Sequence, residues 1–165
     1  MVVIKKFFFA TLLLFLMSIG SVSQAHVLDG AKEWNGHYYK IFEMPMDWES
    51  ADSFCKSMGG HLATAETSTE NEMMKQLFMS MEGSSACWIG GRRDKQRIWR
   101  WITGKVIADY FDWANGQPRS DGNAGGASLC LRRSDKGKWD NPWSSDKNSF
   151  MCEWENANEA HESNI

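Results

Sequence analysis

Four cysteines are the residues of this 165-residue chain whose type and spacing most directly allow covalent or metal chemistry: Cys55, Cys87, Cys130 and Cys152. A structural zinc site needs closely spaced ligands, such as two cysteines separated by about two to four residues. No two of these cysteines have that spacing, and His61 has no second histidine three to five residues away. Disulfide formation is therefore the expected chemistry, and four cysteines allow three connectivities.

Other reactive constellations are missing from the sequence. It has no carboxylate pair with supporting groups, no Gly-x-Ser-x-Gly motif and no histidine cluster that could bind a catalytic metal. The composition, 42% hydrophobic and 24% charged, excludes a disordered tail and a membrane bundle. We therefore expect a single folded domain that is not an enzyme, with no catalytic residue and no obligatory cofactor.

Residues 1–25 have the pattern of a secretory signal peptide. Lysines at positions 5 and 6 precede an apolar run over 7–20, and small residues lead to Ala25. This run is too short for the alternative, a membrane anchor, which needs about 20 apolar residues. Cleavage after Ala25 would leave 140 residues and change the formal charge from −3 to −5. We expect a secreted protein (periplasmic if the source is bacterial) that forms disulfides, does not insert into a membrane and does not bind nucleic acid.

The pattern of the remaining chain predicts one α+β domain. Residues 26–33 form a lead-in, and an aromatic, alternating segment over 34–42 predicts the first strand. Asp47 and Thr67 are suitable N-caps for two helices with apolar residues at three- and four-residue spacing. Further strands are predicted over 87–90, 98–102, 128–132, 138–141 and 150–154, with a glycine-rich loop over 104–127. This order of elements predicts an antiparallel sheet.

Four motifs occur in an order that resembles the C-type lectin-like domain. They are Trp48-Glu-Ser-Ala with Cys55 and Gly59-Gly60-His61-Leu62, then Glu70-Asn71-Glu72, then Cys87-Trp88-Ile89-Gly90, and last Trp139-Asp140-Asn141 with Phe150-Met151-Cys152-Glu153. The resemblance covers residues 34–154 and leaves 155–165 as a polar tail. It implies a C-type lectin-like fold, with two helices flanking antiparallel sheets and a long ligand-binding loop over 104–127.

The resemblance also implies a disulfide between Cys55 of the first helix and Cys152 of the last strand. A second disulfide of the family would join Cys130 to position 144, but that position is a serine here. Cys87 is the remaining cysteine. The sequence therefore leaves two alternatives, a Cys87–Cys130 bond between neighbouring strands or two free thiols.

Lectins of this family bind a calcium ion at the long loop, and two sugar hydroxyls complete its shell. The ligand positions correspond here to Gln117, Arg119, Ser128, Asp140 and Asn141. Calcium prefers about six to eight oxygen ligands, several of them carboxylates, whereas only Asp140 is a carboxylate and Arg119 has no acceptor in its side chain. We expect this calcium site to be degenerate, with Gln117, Asp140 and Asn141 forming at most a weak metal site.

Four further residues are candidate ligand contacts in and around the loop. Asp121 and Asn123 could supply oxygens if the loop is re-routed. Trp113 and Trp143 could stack on a sugar ring without metal, although tryptophans in such positions are more often packing residues.

The sequence also concentrates cations after Trp88, at Arg92, Arg93, Lys95, Arg97 and Arg100, with Arg132 and Arg133 on a later strand. Their two interpretations are a site for an anionic glycan or acidic protein and an ordinary solvated hairpin. The predicted function is a secreted recognition module that binds a carbohydrate or another ligand through the long loop. The alternatives are a calcium-independent protein-binding module and a calcium-dependent sugar-binding lectin.

Overall fold

The computed structural model describes residues 28–119 and 126–156, so the expected signal peptide and most of the polar tail lie outside the described residues. None of the helices in this part of the chain is long and apolar enough to cross a membrane. In chain order the elements are β1 (Lys32–Trp34), β2 (His37–Met46), α1 (Trp48–Ser57), β3 (His61–Leu62), α2 (Ser68–Ser80), β4 (Ala86–Arg93), β5 (Trp99–Trp101), β6 (Ser128–Arg132), a 3-10 helix (Arg133–Asp135), β7 (Lys138–Asp140) and β8 (Asn148–Trp154).

The strands form one connected sheet in the order β1-β2-β8-β4-β6-β7, with β3 paired to β8 and β5 paired to β4. All pairs are antiparallel except β4 and β8, which run parallel. The α+β class and the two helices are confirmed. The parallel pair is the departure from the expected antiparallel sheets. It arises because the chain crosses over through β5, β6 and β7 before it returns as β8 between β2 and β4.

Both helices begin at the predicted caps. The Asp47 carboxylate accepts a hydrogen bond from the Ser50 amide (2.8 Å), and the Thr67 hydroxyl accepts one from the Glu70 amide (3.2 Å). These bonds satisfy amides that have no partner within the first helical turn. Local side-chain chemistry therefore fixes where each helix starts.

The helix α1 is joined covalently to the sheet. It buries Trp48, Ala51 and Cys55 on one stripe, and Cys55 forms a disulfide with Cys152 of β8. The disulfide implied by the resemblance is thus present, and it closes a loop with a sequence separation of 97 residues.

The sheet separates two hydrophobic cores, because side chains alternate between the faces of each strand. We call them the α2-side core and the α1-side core after the helix that packs on each face. The α2-side core contains Tyr39, Met73, Met74, Phe78, Cys87, Ile89, Trp101, Leu129, Leu131, Trp139 and Met151. The α1-side core contains Trp48, Ala51, Cys55, Leu62, Trp88, Cys130, Phe150, Cys152 and Trp154.

This alternation explains the two remaining cysteines. In the β4–β6 register Trp88 is the partner of Cys130, and Cys87 is the partner of Leu131. Directly paired residues point to the same face, so Cys87 and Cys130 lie in different cores. The Cys87–Cys130 bond is therefore not formed, and both cysteines are buried free thiols, the other alternative that the sequence left open.

Neither thiol is set up for reaction. Burial raises the pKa of the Cys87 thiol to about 12, and burial also raises the pKa of the Cys130 thiol well above its usual value. The reactive thiolate is therefore disfavoured at both positions.

Candidate ligand-binding surface

The loop over 104–127 leaves the sheet after β5 and returns to it at β6, and the turn after β7 contacts its described ends. We call residues 114–119, Gly126 and the turn 140–144 together the long-loop surface. Two of the predicted oxygen donors, Asp121 and Asn123, lie outside the described residues. The other predicted site residues in the loop and turn are described below.

Asn141 ties the two described ends of the loop together. Its side chain is buried, its Oδ1 accepts a hydrogen bond from the Arg119 amide (2.9 Å), and its Nδ2 donates to the Gly126 carbonyl (2.8 Å). A Cβ atom on Gly126 would overlap the Asn141 side chain, so this close approach requires glycine. The Oε1 atom of Gln117 accepts a hydrogen bond from the same Arg119 amide (3.1 Å). The oxygens of Gln117 and Asn141 are thus used inside the protein.

Asp140 is the only carboxylate among the five matched positions, and it already has a cationic partner. Its side chain is 3% exposed, and its Oδ2 accepts a hydrogen bond from Nε of Arg132 on β6, which forms an ion pair. Its Oδ1 accepts a hydrogen bond from the Asn141 amide (2.8 Å). The hydroxyl of Ser128 is hydrogen-bonded to that of Ser144 (2.9 Å).

These five positions do not fit a calcium ion in this arrangement. Calcium requires about six to eight oxygens, with carboxylates among them, whereas a guanidinium lies against the single carboxylate here. Arg119 lies at the described end of the loop, next to Asn141. It contributes its backbone amide and carbonyl to Asn141, and its side chain is exposed. The cation that neutralises Asp140 is Arg132.

The two candidate stacking residues differ in exposure. Trp113 is partly buried, and its ring centroid lies 5.0 Å from that of Trp99 and 5.7 Å from that of Trp139. Trp113 is thus a packing residue. Trp143 is 54% exposed and lies in the turn that contains Asn141. Trp143 therefore presents an aromatic face at the long-loop surface.

A second polar site lies beside the start of α2, and sequence reasoning did not find it. Glu70 and Glu153 are buried, and with His37 they bring three ligand-type atoms within 4.8 Å of one another, the one such group within residues 28–119 and 126–156. A cavity of about 450 Å³ opens beside them, and Glu66 and Glu155 also line it. We call this site the acidic pocket.

The carboxylate oxygens of the acidic pocket are satisfied internally. Glu153 Oε1 lies 2.7 Å from His37 Nδ1 and accepts a hydrogen bond from the Tyr39 hydroxyl (3.2 Å). Its Oε2 accepts a hydrogen bond from the Thr64 amide (2.8 Å). Glu70 Oε1 lies closer to the same Tyr39 hydroxyl (2.7 Å), so the single hydroxyl proton is shared between the two acids.

Titration in the pocket is perturbed by burial and by these bonds. The hydrogen bond to Glu153 raises the pKa of His37, and this effect exceeds the opposing effect of burial. Burial raises the pKa of Glu70. Burial and the charge of Glu153 raise the pKa of Tyr39, so its phenol stays protonated and remains a donor. The protonation states of His37 and Glu70 therefore depend on their neighbours in the pocket.

The sequence held one indication of this site. Glu153 stands among apolar residues in β8, where a charged side chain must have a partner inside the fold. The partner could not be assigned, because His37 and Tyr39 reach Glu153 only through the β2–β8 pairing.

The chain is similar to known proteins over most of its length. A model of the Lectin C-type domain family matches residues 44–154. The chain is 30% identical to Snaclec 3 of Sistrurus catenatus edwardsii, over 87% of this chain and 93% of that protein. It is 32% identical to the galactose-specific lectin nattectin of Thalassophryne nattereri, over 73% and 77%. A solved structure of human lithostathine superposes with a TM-score of 0.70 and 27% identity, over 78% of this chain and 98% of that chain. These relatives are C-type lectin-like binding proteins rather than enzymes.

Proposed function

The chain belongs to the Lectin C-type domain family, and from this premise we propose that it is a recognition module that binds its ligand at the long-loop surface without calcium at the usual position. The ion pair between Arg132 and Asp140 carries the proposal. A cationic side chain supplies the positive charge, and Asn141 ties the loop to the sheet through direct hydrogen bonds. The loop can therefore keep its shape without an ion.

A carbohydrate is the ligand class that the surface supports best. Trp143 offers an exposed ring of the kind that packs on the apolar face of a sugar. The nearby loop backbone and the Gln117 side chain supply polar groups for hydroxyls. The relative nattectin, named a galactose-specific lectin, is consistent with this class. A protein ligand on the same surface is the alternative.

A glycan array measured in calcium and again in excess chelator tests the proposal. We expect the same glycans to be bound in both conditions, because calcium completes no ligand shell at the long loop. Binding that disappears with chelator would overturn the proposal in favour of a calcium-dependent lectin. An array with no bound glycan in either condition would overturn the carbohydrate assignment and favour a protein ligand.

A pair of variants locates the binding surface. Trp143→Ala should weaken glycan binding about tenfold, which corresponds to the loss of about 1–1.5 kcal/mol of stacking. Met79→Ala on α2 removes another exposed apolar side chain away from the long-loop surface and should bind like the unmodified protein. Equal affinity of the two variants would place the ligand elsewhere.

We further infer that the protein is exported. The leader pattern of residues 1–25 supports export, and so does the Cys55–Cys152 disulfide, because disulfides persist in oxidising compartments. N-terminal sequencing of protein recovered from the culture medium should give a chain that starts at His26. Retention in the cell with Met1 intact would contradict this inference.

A further inference from the structure

The hairpin formed by β4 and β5, with the segment that follows it, concentrates positive charge. Residues 92–105 contain six cations and one carboxylate, Asp94. We call this segment the basic hairpin. Removal of residues 1–25 would give the chain a formal charge of −5, so the hairpin differs in sign from the molecule as a whole.

Two arginines face each other across the hairpin. Arg92 and Arg100 are direct partners in the antiparallel register, which places their side chains on the same face of the sheet. Like charges in this position repel each other, and they destabilise the hairpin unless other groups compensate. Glu49 bonds to Arg92 and Asp94 bonds to Arg100, each at 2.8 Å. The two guanidinium groups are therefore held on the same face by one carboxylate each.

These ion pairs leave donors available. A guanidinium has five N–H donors, while Glu49 accepts from one nitrogen of Arg92, and Asp94 and the Gly104 carbonyl accept from two nitrogens of Arg100. The side chains of Arg92 and Arg100 are 43% and 39% exposed, so solvent reaches them. The ring of Trp48 lies under the Arg92 guanidinium, 4.9 Å from its Cζ, and restricts its orientation. An oxyanion can thus approach arginines that are already positioned.

The turn and the opposite face of the hairpin carry further cations. Arg97 has φ +66°, in the left-handed region that favours glycine or asparagine, and Lys95 is exposed. Arg97 thus places an exposed cation at the turn of the hairpin. On the opposite face Arg93 lies over the ring of Trp99, at 5.9 Å. Cations are therefore presented along the length of the hairpin.

We propose that the basic hairpin binds a sulfated polysaccharide. The planar fork of arginine matches the oxygens of a sulfate, and the Arg92–Arg100 pair offers two such forks on one face. A linear polyanion can follow a narrow basic strip. A flat anionic membrane would also come within about 8–10 Å of acidic groups outside the hairpin. At that distance salt does not fully screen their repulsion. The chemistry thus favours a chain of sulfates over a lipid surface.

This site borders the long-loop surface but does not depend on it. Arg92 pairs with Ser128 in the sheet, and the Arg93 amide donates to the Ala127 carbonyl (2.7 Å). A glycan could therefore extend from one site to the other. The tests of the two sites remain separate, because Trp143 is not part of the hairpin and the hairpin arginines lie outside the long-loop surface.

Heparin-affinity chromatography of the full secreted chain tests the proposal. We expect retention at physiological salt, elution as sodium chloride rises, and competition by dextran sulfate but not by desulfated heparin. Failure to bind heparin at low salt would overturn the proposal. Equal competition by desulfated heparin would also overturn it, since carboxylates alone would then suffice, and stronger competition by phosphatidylserine vesicles would replace the polysaccharide with a membrane surface.

Matched variants locate the site. The double variant Arg92→Gln/Arg100→Gln should raise the Kd for heparin about tenfold or more and reduce the salt dependence of binding, because fewer counterions are released. Lys32→Gln/Lys56→Gln removes the same charge from other elements and should change the Kd by less than about twofold. An equal increase in Kd for both double variants would show nonspecific electrostatic attraction without a defined site. Circular dichroism of each variant verifies that the fold is kept.

A gain-of-affinity variant provides an independent test. Glu49→Gln removes the exposed carboxylate that competes for Arg92. It should tighten heparin binding and shift elution to higher salt. A purely structural role for Arg92 predicts no change in elution, and that result would contradict the proposal.

Discussion

The long-loop surface and the acidic pocket both contain buried carboxylates, and they neutralise them in different ways. Asp140 is paired with Arg132, a cation at every physiological pH. Glu70 and Glu153 share the Tyr39 hydroxyl, and Glu153 also lies 2.7 Å from His37 and 4.0 Å from His61. The charge of the loop site is therefore fixed, whereas the charge of the pocket can change with pH near neutrality.

The two regions also differ in how the chain secures them. The acidic pocket includes Glu153, which follows Cys152 of the disulfide. On the loop side, the buried Cys130 of β6 is a free thiol, and Ser144 stands where the family resemblance implies a cysteine. The pocket thus lies beside a covalent bond, and the loop depends on hydrogen bonds and one ion pair. This difference suggests that the ion pair carries more of the stability of the loop side than a surface pair would.

The largest expected effect comes from breaking that ion pair. Arg132→Gln should lower the free energy of unfolding by about 2–3 kcal/mol, because it leaves the buried Asp140 carboxylate without a counter-charge. The loss stays below that of a fully buried pair, since Arg132 is 34% exposed. Urea denaturation of the variant against the unmodified protein measures it.

The control for this prediction is Lys138→Gln, which removes an exposed cation from the register partner of Arg132 and should cost less than about 0.5 kcal/mol. Adding Asp140→Asn to the Arg132 variant should recover part of the loss, because the unpaired charge is then gone. If Arg132→Gln lowers the free energy of unfolding no more than Lys138→Gln does, the ion pair with Asp140 does not stabilise the loop side.

A new covalent bond should make the two regions more alike. Ser144 touches Ser128, which lies on the same face of β6 as Cys130, so Ser144→Cys should form a disulfide with Cys130 and stabilise the fold by about 2 kcal/mol. Thiol titration of the denatured, unreduced protein should give two thiols before the substitution and one after it. Three thiols in the Ser144→Cys variant would show that the bond does not form. The control Ser145→Cys, at an exposed position, should give three thiols.

The smallest expected effect is a dependence of stability on pH at the acidic pocket. The pKa of His37 is raised in the fold, so its pairing with Glu153 adds stability below the unfolded pKa of 6.5, which is lost as the pH rises through the folded value. Burial raises the pKa of Glu70 above its ordinary value of 4.5, so its ionisation also lowers stability as the pH rises. The free energy of unfolding should therefore fall as the pH rises from 6 to 9, and His37→Gln should flatten this fall.

Urea denaturation across this pH range gives the comparison. Glu70→Gln serves as the matched control, because it should retain the fall that belongs to His37. An unchanged pH profile in the His37 variant would assign the dependence to another group.

Local patterns predicted the features that depend on neighbouring residues. Asp47 and Thr67 cap the two helices as expected, because a cap and its helix lie within one turn of chain. Trp99 and Trp101 face the α2-side core, with Arg100 on the other face, as strand alternation predicts. The disulfide from Cys55 to Cys152 came from the family resemblance and not from any local pattern.

Features that depend on strand order could not be predicted in the same way. The acidic pocket requires β8 to lie between β2 and β4, and no local pattern specifies that order. No partner for Asp140 was predicted from the sequence, where Asp140 and Arg119 were only matched to calcium-ligand positions. Cys130 pairs with Asp140 across β6 and β7, so Arg132, two residues further, lies diagonally beside Asp140. The contact between Arg132 and Asp140 depends on the register of β6 against β7, which the sequence does not specify.

The placement of the four cysteines has a consequence for oxidative folding. Cys55, Cys130 and Cys152 share the α1-side core, while Cys87 lies across the sheet. While the sheet is forming, before burial disfavours its thiolate, Cys130 enters the same core as the native disulfide and can exchange with it, whereas Cys87 is directed to the other core. Misoxidised protein should therefore contain Cys130 rather than Cys87, and replacement of Cys130 by serine or alanine should improve the yield of correctly oxidised chain.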